Sequence, residues 1–356
     1  MLSSGYGVDS KAGLVVHRGG VLTLPRAAGQ QDSVAAASRL AAFFGRPPAA
    51  FTSAIRQLVN DARSGSAILS DRSAFQVARL LRGPTLLANL YYATKSYRSE
   101  RLEVGEVKAP LDLARCYDPR TLSAILALSY LFKRAKRIFS EDGWSLVSEP
   151  LETYADIGMR IGDLAGQPCI GLLSGAMRHL AIAAFEVDNE QGFRSYCSAL
   201  DGERLFDDAF EIKQWGCTSY EIASCLLVTM GFTAREAGAF CQGFSALPGA
   251  RLSAEAADYH RMRKALQASA SGEEVGGDPQ LTALLAQVRT IIARGGAPRW
   301  LSRTREDANP DKLGELPGVS WERNSRVLEL LREDRVRPAR KWHRGIGARA
   351  EERSAA

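Results

Sequence analysis

The stretch EIKQWGCTSYEIASCLLVTMGFTAREAGAFCQGF, from Glu211 to Phe244, decides the fold. Thr218 is followed three residues later by Glu221, and Thr233 by Glu236. Each pair is a capping box, in which side-chain acceptors meet the N–H groups left free at a helix start. Gly231 falls between the boxes, where the first helix has to stop before the second begins. Two helices joined by a tight turn follow. Losing either threonine is expected to cost on the order of 1 kcal/mol, enough to fray an end and too little to unfold a domain of this size.

The same signals extend in both directions. Leu122, Ile125, Ser129 and Phe132 fall at helical spacing behind Asp118 and Pro119, which supply an N-cap and a first-turn residue. Lys133, Arg134, Lys136 and Arg137 crowd the far end, where the helix dipole favours cations. A helix starting near Ser253 carries Tyr259, Met262 and Leu266 on one stripe. Near the N-terminus, Ser33 to Phe44 places Val34, Leu40 and Phe43 near one face, and Gly45, Pro47 and Pro48 end it. From Phe51 to Gln267 the chain reads as helix after helix, which predicts an all-α, multi-helix bundle.

Five segments are expected. Residues 1–47 form an N-terminal extension whose apolar pieces, Leu14 to Val16 and Val21 to Leu24, leave its structure open. Residues 48–267 form the helical domain, and ASASGEEVGGD (268–278) is a linker of small, polar and glycine residues. Residues 279–296 form an accessory helix, opened by Asp278 and Pro279, with Leu281, Leu284, Leu285, Val288, Ile291 and Ile292 apolar and Gly295 as its stop. Residues 297–356 are a basic, partly disordered tail.

At 356 residues and 46% hydrophobic composition, the chain is long enough for a substantial core. The nearly apolar run Leu122 to Phe132 is well short of the roughly 18 residues a membrane span needs, so no membrane insertion is expected. The start, MLSSGYGVDSKAG, lacks the pattern of a secretory signal, which makes a cytoplasmic location the expectation. Six cysteines without a CxxC pair argue against a disulfide framework and a zinc ribbon, leaving buried free thiols. The net charge of +6 is uneven: from Arg294 onward there are 15 Lys+Arg against 10 Asp+Glu, so the tail holds +5 of it.

Four further stretches carry a resemblance. VARLLRGPTLLANLYYATKS (Val77 to Ser96) reads as a helix, a Pro-marked turn and a helix with an Asn-containing end. DLARCYDPRTLSAI lies within Ala109 to Ile125, GLLSGAMRHLAIAAF spans Gly171 to Phe185, and EIKQWGCTSYEIASCLLVTMGF spans Glu211 to Phe232. Together these resemble the HDOD family, a bacterial all-helical relative of the HD-type phosphohydrolases found mostly in signalling proteins. The likeness runs from Phe51 to Leu247, just over half the chain. It implies a signalling or regulatory role with a protein partner or a second messenger.

The departures from that pattern bear on chemistry. Where an active HD phosphohydrolase would place its adjacent His and Asp, this chain has Ser174 and Gly175, and at Ser219 and Tyr220 there is no imidazole. A hydrolytic metal site needs several His, Asp or Glu donors converging at about 2.0–2.2 Å with an open position for water. The four histidines, His17, His179, His260 and His343, are scattered. His179, beside Arg178, is nearest the ancestral site and is expected to be a core or helix-face histidine satisfied by a backbone carbonyl. Asp156, Asp163, Asp207 and Asp208 are expected on solvated faces or in first turns. There is no GxSxG elbow, and Gly276 and Gly277 are not followed by GKS or GKT. No catalytic residue, metal or cofactor is assigned.

The alternative reading lies in the tail. Between Arg332 and Arg349 seven cations face only Glu333 and Asp334. Arg335, Arg337, Arg340, Lys341, Trp342 and Arg344 are the candidates for nucleic-acid contact, since arginines neutralise phosphates and an aromatic ring stacks on an unpaired base. Trp300, Trp321 and Trp342 recur at equal spacing, each behind a proline, but the intervening residues do not match and no structural repeat is inferred. The leading expectation is a non-enzymatic HDOD-like module with its HD metal site lost; the alternative is a nucleic-acid-associated protein acting through the tail.

Overall fold

The computed structural model describes residues 15–16, 22–23, 29–105, 107, 109–200, 205–246, 250–271, 282–283, 285–286, 290 and 299–302. Among them the protein is all-α apart from one antiparallel ladder, in which β1 (Val15–Val16) pairs with β2 (Leu22–Thr23). The helices are α1 (Gly29–Ala41), α2 (Ala49–Arg63), α3 (Asp71–Leu80), α4 (Pro84–Tyr97), α5 (Ser99–Glu103), α6 (Pro110–Arg115), α7 (Pro119–Ile138) and α8 (Glu141–Leu164). They continue with α9 (Pro168–Ala181), α10 (Ala183–Asp188), α11 (Glu190–Ala199), α12 (Asp208–Trp215), α13 (Ser219–Met230), α14 (Ala234–Ser245) and α15 (Ala254–Ser271).

The start and stop signals read from the sequence operate as expected. Asp118 accepts from the N–H groups of Arg120 and Thr121 at the head of α7. Thr218 and Glu221, and Thr233 and Glu236, close both capping boxes reciprocally. Gly231 ends α13 at φ 114°, left-handed backbone that a residue with a Cβ adopts only under strain. The stripe of Tyr259, Met262 and Leu266 on α15 is buried.

α9 is the hub, with α8 along one side and α7, α13 and α15 around it. α1 packs on α13, and Ser33 Oγ donates to Glu221 Oε2 at 2.6 Å, so the helix of the N-terminal extension belongs to the core. Its end differs from expectation in phase. Phe43 is 37% exposed and Phe44 is fully buried, because Ala42–Phe44 wind as a 3₁₀ turn and the tighter winding carries the apolar face one residue on. α15 continues to Ser271, into the stretch read as a linker. Of the accessory helix, Leu285 is described and is buried; its other apolar positions lie outside the described residues.

None of the six cysteines forms a disulfide; Cys169, Cys217 and Cys241 are buried and Cys116, Cys197 and Cys225 half-buried. Among the described residues one segment is long and apolar enough to cross a membrane, where the sequence predicts none: Pro168–Asp188, 21 residues with mean hydropathy 1.3. It is 94% buried within the bundle, the environment of a core helix.

The chain just beyond residue 298 also joins the core. Trp300 and Leu301 are buried, and Asn89 Nδ2 donates to both of their carbonyl oxygens, at 2.8 and 3.1 Å. Trp300 Nε1 donates to Tyr97 Oη at 3.1 Å, with the two rings edge to face. The basic tail was expected to begin at residue 297; its first apolar pair is instead part of the bundle.

Candidate functional site

Of the positions that depart from the HD pattern, Ser174 and Gly175 lie on α9, where it meets α8, and Ser219 and Tyr220 open α13. Helices can approach this closely only if small residues line the contact, and Gly158 and Gly162 of α8 face Gly171 and Gly175 of α9. A Cβ at Gly171 would fall 1.9 Å from the Gly158 carbonyl oxygen, and one at Gly158 would fall 2.1 Å from the Gly171 oxygen. At Gly175 a Cβ would lie 1.9 Å from the carbonyl oxygen of Tyr154. The obstacle in each case is backbone, which cannot swing aside as a side-chain tip can. No carboxylate could stand at position 175 unless the two helices moved apart.

One turn further along α9, Arg178 is buried at the centre of an ion network. Its Nε donates to Ser219 Oγ at 2.8 Å, and its Nη2 donates to Asp208 Oδ1 at 2.6 Å and Glu211 Oε1 at 3.2 Å. Glu211 is fully buried and also accepts from Tyr196 Oη at 2.6 Å, from Ser219 Oγ at 2.9 Å and from the Ser219 N–H. Burial opposes the charge on Arg178, but Glu211 and Asp208 outweigh it and hold the guanidinium above its ordinary pKa. Burial pushes the Glu211 carboxyl up, with Arg178 and the hydrogen bonds from Tyr196 and Ser219 pulling back. The guanidinium carbon lies 3.9 Å from the Phe206 ring centre and 5.3 Å from that of Tyr220.

His179 is buried beside it, as the sequence reading expects of a core histidine. Its Nδ1 sits 2.9 Å from the Gly175 carbonyl oxygen, which only accepts, so Nδ1 carries the proton and Nε2 keeps a lone pair. The ring stacks on Tyr154 at 5.1 Å and meets the edge of Phe206 at 4.8 Å. Burial, aided by the charge of Arg178, pushes its pKa down to about 4. A base that weak is poorly matched to general-base catalysis at neutral pH, where an effective catalyst has a pKa near the operating pH.

Ser174, Gly175, Arg178 and His179 form the α9 wall of a cavity of about 60 Å³. Tyr154 of α8 and Leu205, Phe206 and Asp208 close two further sides. Phe244 of α14 and Arg263, Leu266 and Gln267 of α15 complete it. Ser174 is 4% exposed, and its Oγ has no hydrogen-bond partner among the described residues. Arg263 donates to the Phe244 carbonyl but has no carboxylate within ion-pair distance among those residues. Burial depresses its pKa, and Arg178 adds to the effect while Asp208 partly offsets it.

The four aspartates divide by environment. Asp207 caps α12 by accepting from the Phe210 N–H at 2.9 Å, and Asp163 pairs with Arg98. Asp208 pairs with Arg178. Asp156 is the correction: it is fully buried, with Arg160 at 3.0 Å, and does not lie on a solvated face. Burial raises its pKa, and Arg160 and Tyr97 pull it back. Among the described residues no three His, Cys, Asp or Glu side chains come together as metal ligands. The tail candidates Arg335, Arg337, Arg340, Lys341, Trp342 and Arg344 lie outside the described residues.

No family model, curated protein or solved structure matches this chain. The sequence reading missed Arg263 and the network around Glu211. Neither has a local signature, since Arg263 is one of several cations on α15 and Glu211 reads as an ordinary first-turn acid. The paired GxxxG spacings, Gly158 with Gly162 and Gly171 with Gly175, were the visible signal for the close helix contact.

Proposed function

We propose that this chain is a non-catalytic, HDOD-like regulatory module that acts by binding a protein partner. The observation that carries the reading is the contact at Gly175. At the position where the family resemblance places a metal-binding aspartate, even the first side-chain carbon would collide with the Tyr154 carbonyl oxygen, so the packing of α8 and α9 leaves no room for the ligand. Near Ser219 and Tyr220, where the resemblance would place another ligand, Ser219 instead supports Arg178 and Glu211 within the same network. An ion network has taken the place of a metal centre, and a neutral, weakly basic His179 lies beside it.

The cavity narrows the second-messenger idea. At about 60 Å³ it is far below the roughly 300–1,000 Å³ of sites that enclose drug-sized molecules. A nucleotide could place no more than one small group inside it.

The reading is tested by two measurements on the full chain. Phosphodiesters and nucleoside phosphates are assayed with Mg²⁺, Mn²⁺ and Fe²⁺, with no turnover above the metal-only blank expected; metal-dependent turnover abolished by Arg178→Leu would sink the proposal. The tagged chain is also used as bait in nuclease-treated lysate of the native cell. A stoichiometric protein partner is expected, and its loss when only the salt is raised modestly would point to charge attraction by the tail instead.

A further inference from the structure

Three charged side chains line the cavity: the guanidiniums of Arg178 and Arg263 and the carboxylate of Asp208. Glu211 contacts Arg178 but is not part of the wall. The cavity therefore faces two positive charges and one negative. The imbalance falls on Arg263, which is half-buried and has only a carbonyl as a hydrogen-bond partner among the described residues. Arg178 has the same kind of spare capacity, because its Nε and Nη2 carry the bonds to Ser219, Asp208 and Glu211 and its Nη1 has none there.

Ser174 adds an independent observation. A buried hydroxyl without a partner costs free energy comparable to a lost hydrogen bond, and native structures rarely leave one unsatisfied. This one lies in the wall of a cavity with room for a few waters or one small oxyanion. The donors on offer, Ser174 Oγ–H with the unused N–H groups of two guanidiniums, suit a cluster of negative oxygens. The acceptors on offer, His179 Nε2 and Asp208, suit a ligand that still carries an O–H. Inorganic phosphate combines these properties at neutral pH; a phosphomonoester, with its second pKa near 6, offers the same oxygens but keeps the proton only in its minor monoanion, and sulfate, fully deprotonated, lacks it.

We infer that the cavity between α9, α14 and α15 binds a single phosphate group, held by Arg263, Arg178 and Ser174. The inference rests on the proposed function in taking this cavity as the ligand site of a module that does no chemistry. Free phosphate and the phosphate of a small monoester share the recognition chemistry, and the size of the cavity admits only that group.

The test is isothermal titration of the full chain with inorganic phosphate, sulfate and AMP, repeated on Arg263→Met and Ser174→Ala. Phosphate is expected to bind at one site and more tightly than sulfate. Arg263→Met should weaken it on the order of thirtyfold, as befits a charge-assisted contact, and Ser174→Ala about fivefold. AMP binding tighter than phosphate would identify a monoester as the source, and phosphate binding alone would identify the free ion; both support the site if they depend on Arg263. Helix content measured by circular dichroism confirms that each variant is folded, and Arg263→Lys, which keeps the charge, should recover part of the affinity. No saturable binding, equal binding of sulfate, or binding that survives both variants overturns the inference; the last would place the anion on the basic tail. Metal-dependent hydrolysis of AMP would sink the proposed function and leave the phosphate site standing, whereas a captured partner without phosphate binding would do the reverse.

Discussion

A single methyl group at position 175 meets the Tyr154 carbonyl oxygen at 1.9 Å, well inside any real contact distance. Gly175→Ala should therefore lower stability by about 2–3 kcal/mol, the cost of forcing backbone apart in a packed interior. Urea unfolding measures it, and a loss below about 0.5 kcal/mol, typical of an unconstrained surface site, would mean that the helices are not in such contact. His179 makes a prediction in pH. Its folded pKa is pushed down to about 4, whereas an unfolded histidine titrates near 6.5. Above 6.5 the ring is neutral in both states and its contribution is intact. As the pH falls from 6.5 toward 4 the unfolded chain takes up a proton that the folded chain refuses, so stability declines, by up to about 3 kcal/mol from this residue. His179→Asn, whose amide can still donate to the Gly175 carbonyl, should show a shallower decline when unfolding is measured from pH 7 to pH 4.5; parallel curves would refute the assignment. That His179 is a core histidine was legible in its apolar neighbours along α9. That Asp156 is buried was not: Arg160 lies one turn away on the same helix, but the cover that takes the carboxylate from solvent, Tyr97, comes from α4.

Helix ends were the most legible elements, because capping is local chemistry: Thr218, Thr233, Asp118 and Gly231 act on groups within four residues of themselves. The docking of Trp300 and Leu301 on α4 had no such signal. The Asn89 side chain reaches across 211 residues to the Trp300 carbonyl, and nothing near Trp300 marks it apart from Trp321 or Trp342. It is among the largest fully buried side chains in the molecule, so Trp300→Ala should cost about 3–5 kcal/mol. Asn89→Ala leaves two buried carbonyls short of a donor and should cost about 1–3 kcal/mol. Because the two changes break one anchor, the double variant should lose less than the sum, which a double-mutant cycle of unfolding free energies reads directly. Additive losses would mean that the bond from Asn89 and the burial of Trp300 are independent.

The distribution of charge belongs to the chain as a whole: the tail from Arg294 carries +5 of the net +6. If the six tail candidates contact nucleic acid, binding of a fluorescent single-stranded oligonucleotide should weaken with salt at a log–log slope of about −3.5, from roughly 0.7 per phosphate neutralised by their five cations. A chain ending at Ser302 keeps the Trp300 anchor and should lose that binding; a slope near zero, or binding that persists in the shorter chain, removes the tail from consideration. Truncation at residue 296 would be a poor control, since it also strips Trp300 and Leu301 from the core. Periodicity, caps and glycine turns determined from the sequence alone that the protein is all-α, where its main helices begin and which faces they bury, because each of those signals acts within a turn or two of chain. Tertiary structure decided the rest: that Gly175 has no room for a side chain, that Arg178 is held by two carboxylates and a serine 30 to 41 residues away, and that Ser174 and Arg263 share a wall. These are contacts between distant segments, and their energies depend on which backbones pack together rather than on the residues that flank them.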